Sequence, residues 1–223
     1  MSGKPVLETP RLILRGHRAE DLRECMELWS DPVVTRFIGG RPLPREDVWL
    51  RLLRYAGSWA LLGYGFWLVQ DRATGAFVGE VGFHELKRDT KPSFAGTPEV
   101  GWGLSPRFQG RGLAREAVEA ALAWGDDNID NDRTVCIIHP ENTVSLRLAQ
   151  HFGFEPQMDV VYKGGTMTLF ERRRPSRAET ACRGLLPSAD DSARPEGHRV
   201  PLGGARDAQS RTETTTRVPG RTR

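Results

Sequence analysis

The 223-residue chain is 38% hydrophobic and contains 24 glycines, which suits one sizeable core or at most two small domains and excludes a fibrous or wholly disordered protein. No run approaches the roughly 18 to 20 apolar residues that span a bilayer, residues 1–10 lack an apolar signal core, and Cys25, Cys136 and Cys182 have no zinc-ligand spacing. The expectation is a cytoplasmic protein with no membrane partner and no metal, whose net charge of +3 is uneven: residues 1–171 hold 20 Lys+Arg against 23 Asp+Glu, and residues 172–223 hold 12 against 6.

Residues 11–15 read as a short strand. Leu22, Cys25, Met26 and Trp29 repeat at i, i+3, i+4, i+7, which predicts a helix over 19–29. The Pro- and Gly-rich stretch 31–43 reads as a loop, and a second helix starts at Pro44, with Glu46 and Asp47 at the positive end of its dipole. Residues 65–70 and 76–83 form a hairpin about the turn residues 71–75.

The next strand, 98–105, places Val100, Trp102 and Leu104 on one face and Glu99, Gly101, Gly103 and Ser105 on the other. Two glycines on one face fit either the close approach of a ligand or a bulge in the sheet. Arg107-Phe108-Gln109-Gly110-Arg111-Gly112-Leu113-Ala114 follows and leads into a helix whose apolar face includes Ala117, Ala121 and Trp124. A strand, a Gly-x-Gly loop and a helix N-terminus gather unpaired N–H groups around a point of positive potential, which suits phosphate. Arg107, Arg111 and Arg115 either add charge there or are simply solvated. No Gly-Lys-Ser/Thr ends the loop as a Walker A motif requires, and Arg115 stands where a dinucleotide fingerprint wants Gly or Ala.

Residues 134–138 read as a strand. A helix then follows, with Asn142 as N-cap and Gly153 as left-handed C-cap, before a last hairpin, 159–163 and 166–171, turns at Gly164-Gly165. Beyond it, 176–223 has only arginine as its cation and no aromatic residue, so it cannot bury enough apolar surface to offset its ordering entropy. It is expected to be a disordered tail, either a solvated arm or a contact for RNA or an acidic surface.

Arg107-x-x-Gly110-x-Gly112 resembles the cofactor loop of the GNAT superfamily of acyl-CoA-dependent N-acetyltransferases, over roughly residues 7–172. The opening from Leu7 to Arg15, Glu99-Val100-Gly101-Trp102, Asn142-x-x-Ser145 and Phe152-Gly153-Phe154 resemble the Rim-type branch, which acetylates ribosomal-protein N-termini. The resemblance implies one α/β (α+β) domain over 7–172, a mixed, mostly antiparallel twisted sheet flanked by helices. It also implies acetyl-CoA as co-substrate and an amine acceptor, either a small molecule or a protein N-terminus. Trp102, Gly103 and Leu104 would pair with the pantetheine arm and Asn142 would contact it. Arg107, Gln109, Gly110, Arg111, Gly112, Leu113 and Ala114 would form the pyrophosphate loop. Many relatives carry a tyrosine four residues before the Gly-Phe pair, to protonate the departing thiolate. Here that residue is Ala149, and Ser145, one turn earlier, is the nearest hydroxyl by spacing.

An amine attacks a thioester only when neutral, so a proton must leave, and Glu99 is the first candidate base with Glu80 in reserve. Glu99 is equally readable as a satisfied or solvated strand residue. A backbone N–H near Leu104 would hold the oxyanion. Cys25 lies on an apolar helix stripe and Cys136 in a β-branched run, so direct transfer in a ternary complex is expected rather than a thiol relay. His17, His139 and His151 read as surface or cap residues. The alternatives to an acetyltransferase are a non-catalytic acyl-CoA sensor and an RNA- or ribosome-associated module.

Overall fold

The computed structural model describes residues 4–174. The expected tail, 176–223, lies outside the described residues. The fold is α/β, as expected: one eight-stranded mixed sheet flanked by helices, in the order β1-β2-β3-β4-β5-β6-β8-β7. Its strands are β1 (Leu7–Glu8), β2 (Leu12–Gly16), β3 (Phe66–Asp71), β4 (Phe77–His84), β5 (Glu99–Leu104), β6 (Arg133–Ile138), β7 (Glu155–Tyr162) and β8 (Gly165–Arg173). Every neighbouring pair is antiparallel except β5 and β6, which run parallel.

Among the described residues, five α-helices cover the sheet: α1 (Leu22–Trp29), α2 (Pro32–Thr35), α3 (Arg45–Leu62), α4 (Leu113–Asn128) and α5 (Thr143–His151). The two-residue strand period divides the core. Leu68 of β3 packs with Cys25, Leu28 and Trp29 of α1 and Val48 and Leu52 of α3. Its neighbours Trp67 and Val69 pack with Ala117, Val118 and Ala121 of α4. Among the described residues, no helix is long and apolar enough to cross a membrane.

Four local expectations change. The predicted helix over 19–29 opens as a 3-10 turn, Ala19–Asp21, because the Asp21 carboxylate accepts from Arg18 N at 2.7 Å and is gripped by both terminal nitrogens of Arg15. The loop over 31–43 contains α2, whose first turn is capped by Asp31 Oδ1 accepting from Val33 N at 2.7 Å. Pro44 is the N-cap of α3 rather than its first helical residue.

The face of β5 that holds Gly101 and Gly103 is neither bulged nor bare. Its ladder with β4 is regular. A Cβ at Gly101 would stand 3.0 Å from the Phe66 ring, and one at Gly103 would stand 3.6 Å from the Trp29 ring. The protein's own aromatic side chains occupy the space that the missing side chains leave.

Candidate active site

The glycine loop is built as its residue types dictate. A 3-10 turn, Pro106–Phe108, follows β5, and Gly110 and Gly112 take positive φ of 73° and 74°, backbone that L side chains rarely adopt. Gly112 is the N-cap of α4, so the N–H groups of the first turn, at Leu113, Ala114 and Arg115, have no acceptor within the helix. Nothing lies within 4 Å of a Cβ position at Gly110. Three side chains around this turn are engaged within the protein. Gln109 Nε2 donates to Leu104 O at 3.0 Å, Arg107 reaches Glu27 at 3.0 Å, and Arg111 lies over the Phe108 ring. Arg11 straps the turn from β2's side, donating to the Arg111 carbonyl at 2.9 Å and to Glu116 at 2.6 Å.

Beside this loop the sheet opens. β5 and β6 share one Cα pair, Glu99 with Val135. From Gly101 to Leu104 the edge of β5 facing β6 therefore carries no paired strand, which leaves its backbone groups, apart from the Leu104 carbonyl held by Gln109, free for a ligand. Trp102 on β5 reaches across the gap: its Nε1 donates to Ser145 Oγ at 3.3 Å. Asn142 caps α5 as expected, its Oδ1 accepting from Ser145 N at 3.2 Å, and Gly153 ends that helix with φ of 78°. Ala149 is fully buried in the core.

The gap leads into a cavity of about 500 Å³ that Glu99, Trp102, Asn142 and Ser145 all line, together with His84 and Arg88. Glu99 is 4% exposed. Arg88 donates to it twice, at 2.6 and 2.8 Å, and His84 Nε2 stands 3.1 Å from Oε1. Burial by itself drives a carboxyl pKa up, but His84 and Arg88 together outweigh it and hold Glu99 at about 2. His84, opposite Glu99 in the β4·β5 register, lacks hydrogen-bond alignment with it, and both ring nitrogens are buried without a hydrogen-bond partner among the described residues.

Glu80, fully buried on the same sheet face, does not line the cavity. It accepts from Trp29 Nε1 and Tyr55 OH at 3.0 Å each and lies 3.1 Å from His17 Nε2. Burial opposes its ionisation, yet the His17 contact and the nearby Arg51 charge keep its pKa lowered. His17 is thus a buried partner, not the surface or cap residue expected; the β4·β3·β2 register brings Glu80 under it. Cys25, His17 and Glu80 offer ligand atoms within 4.8 Å of one another, but both Glu80 oxygens are already engaged by these donors. Cys25 and Cys136 are buried as expected, and burial raises both thiol pKa values.

Trp102, Asn142, Ser145 and Glu99 therefore line one cavity, and loop 107–114 follows directly from β5, the strand that carries two of them. A family model described as an acetyltransferase (GNAT) domain matches residues 11–155. The chain belongs to the GNAT acetyltransferase family. An N-acetyltransferase of Bacillus licheniformis, p20, itself uncharacterised, is 27% identical over 152 residues, 68% of this chain and 83% of the relative. A Bordetella pertussis protein assigned to the GnaT acetyltransferases has a solved structure that superposes with a TM-score of 0.66 at 34% identity, over 76% of this chain and 99% of that one. The fold is also that of RimL, a ribosomal L7/L12 α-N-protein acetyltransferase solved with coenzyme A, at a TM-score of 0.63 and 14% identity, over 76% of this chain and 98% of RimL.

His84 and Arg88 are the members of this GNAT site that motif reading does not deliver. The signal for His84 is its register opposite Glu99, which needs the strand pairing to be known. Arg88 sits in the irregular connection after β4, where no periodicity applies.

Proposed function

We propose that this GNAT domain, residues 7–172, transfers an acetyl group from acetyl-CoA to a primary amine, on a small molecule or a protein N-terminus, in the manner of the Rim-type branch; the tail 176–223 is an appendage to that unit. The observation that carries this reading is the single-pair junction of β5 and β6, which opens between a phosphate-suited turn and a cavity holding proton-transfer groups.

Bound acetyl-CoA supplies an activated acetyl group as a thioester. The residues present fit it: the helix N-terminus and the open space over Gly110 suit pyrophosphate, and the unpaired edge over Trp102 to Leu104, where the backbone groups of Trp102 and the Leu104 N–H face the gap, suits the amide groups of pantetheine, with Asn142 beside it. Arg107, Gln109 and Arg111 shape and charge the turn, while its backbone from Gly110 to Ala114 donates.

Glu99 serves the proton path. A carboxylate held at about 2 accepts a proton poorly, so the proton of the incoming amine passes to the His84 imidazole, whose ring nitrogens have no other hydrogen-bond partner among the described residues, and Glu99, 3.1 Å away, stabilises the imidazolium that forms. Ser145 closes the cycle. An indole N–H can only donate, so Ser145 Oγ accepts from Trp102 and keeps its own O–H to pass to the departing thiolate as it takes a proton from water in exchange. Transfer is direct: among the described residues, the thiols of Cys25 and Cys136 are buried and raised in pKa, the opposite of what a reactive thiolate needs.

An amine panel incubated with acetyl-CoA, with free thiol followed, tests the reading. Thiol release that requires both amine and protein is expected. Binding of acetyl-CoA without release from any amine would replace the enzyme by a sensor.

A further inference from the structure

The cavity is electrostatically one-sided. Arg36, Arg51, Arg88 and Lys163 line it against the single carboxylate Glu99. None of residues 105–114 lines it, so these cations are separate from the turn suited to pyrophosphate. Arg88 is already committed to Glu99 through two donors.

Arg51 on α3 is differently placed. Its guanidinium lies 3.7 Å above the Trp29 ring and donates one N–H to Tyr55 OH at 3.0 Å. No carboxylate oxygen lies within 4.0 Å of it among the described residues. Glu80 lies behind Tyr55, its oxygens held by Trp29, Tyr55 and His17. Arg54 adds to the crowding: burial, then the neighbouring Arg51 and Arg88 charges, push its pKa down. Arg51 therefore brings to the cavity a stacked, half-desolvated fork with donors to spare, and such a fork matches an oxyanion in two-point geometry.

The floor between Arg51 and the proton-transfer end is aromatic. Trp29 and Phe66 line it, Phe66 stacking on His84 at 5.2 Å, with Tyr55 buried behind Phe66 at a centroid distance of 4.6 Å. We propose that the acceptor amine carries an oxyanion, a carboxylate or a phosphate, which Arg51 receives at one end of this floor while the amine meets His84 and Glu99 at the other. The inference rests on the acetyltransferase reading and adds the acceptor's chemical class. The same lining disfavours polyamines, whose charges would meet Arg51 and Lys163 with the single lining carboxylate, Glu99, already held by Arg88.

The test measures kcat/KM for matched acceptors, γ-aminobutyrate against its amide and phosphoethanolamine against ethanolamine, with spermidine as the polycation. Each charged-to-neutral ratio is compared between the wild type and Arg51→Gln, which cancels differences in intrinsic amine reactivity. We expect the charged member to be preferred, and that preference to fall about tenfold or more in Arg51→Gln, mostly through KM; the pair that responds tells carboxylate from phosphate. If Arg51→Gln does not fold, competitive inhibition of the wild type by amine-free succinate or phosphate, absent with succinamide, supports the same conclusion. Equal ratios in the two proteins, no such inhibition, or a preference for spermidine overturns the inference while thiol release leaves the acetyltransferase reading standing. No release from any acceptor overturns both.

Discussion

Arg88 grips Glu99 with two nitrogens of one guanidinium, Nε at 2.6 Å from Oε2 and Nη2 at 2.8 Å from Oε1, and their side chains are only 10% and 6% exposed. The pair makes Glu99 a stability element as well as a part of the site. Its pKa falls from 4.5 to about 2 on folding, so its contribution is fully present above pH 4.5 and is lost as pH drops toward 2. That contribution is on the order of 3 kcal/mol. Acid titration of unfolding should show this loss in the wild type and not in Glu99→Gln. Glu99→Gln should itself cost about 3 to 5 kcal/mol at neutral pH, because Arg88 stays buried without its partner.

Glu99→Gln and His84→Ala should each lower turnover by about 10²- to 10⁴-fold, with the loss narrowing at high pH, where the amine sheds its proton unaided. If Glu99 works through His84, the double variant is no worse than the more damaging single one. Fully additive losses, measured where chemistry limits the rate, would separate the two residues.

Acetyl-CoA at 100 times its dissociation constant should stabilise the protein by about 2.7 kcal/mol, raising Tm by roughly 5 to 10 °C. Glu116→Ala should shrink that shift more than it lowers the Tm of the ligand-free protein. Glu116 receives Thr9, Arg11 N and Arg11 Nε, and Arg11 in turn holds the Arg111 carbonyl of the glycine turn. An undiminished shift would detach this strap from cofactor binding.

Ser145→Ala should reduce kcat less than Glu99→Gln, since water can protonate a thiolate, and should leave acetyl-CoA affinity nearly intact. Trp102 Nε1 loses its acceptor in that variant, so its indole fluorescence should change on substitution. Unchanged kcat under chemistry-limited conditions would remove Ser145 from the cycle.

A chain ending at residue 175 should keep its Tm and its acetyl-CoA shift, on the composition of 176–223 alone. The last described strand is anchored before that point, with Arg172 held by Asp126 at 2.8 and 2.6 Å. A drop of several degrees would show that the segment contributes to the fold.

The sequence carried the fold wherever an element was long enough to repeat its pattern. α4 follows its apolar spacing, α3 starts where Pro44 and its acidic first turn place it, the β3·β4 hairpin turns where its turn residues lie, and the Gly110 and Gly112 turn is visible as a pattern because positive φ restricts residue choice so sharply. β1 spans two residues and α2 four, too short for any period to register. The site was legible only where chemistry lies in consecutive residues. Arg51, His84 and Arg88 come from a helix, a strand end and a connection, and they meet through strand register and packing that no local window records. His17 was misread for the same reason: it is far from Glu80 in sequence, and only the sheet brings them to 3.1 Å.

The lone Glu99 and Val135 pair also leaves the backbone ladder of the sheet joined at one point across β5 and β6. Five strands, β1 to β5, lie on one side and β6, β8 and β7 on the other, sharing one rung of backbone pairing and the packing of α4 and α5. A ligand that supplies its own amide groups along Trp102 to Leu104 would act as a surrogate strand, knitting the halves together. Cofactor loading should then be felt far from the cleft, as slower amide hydrogen exchange along β6 and β8 as well as β5.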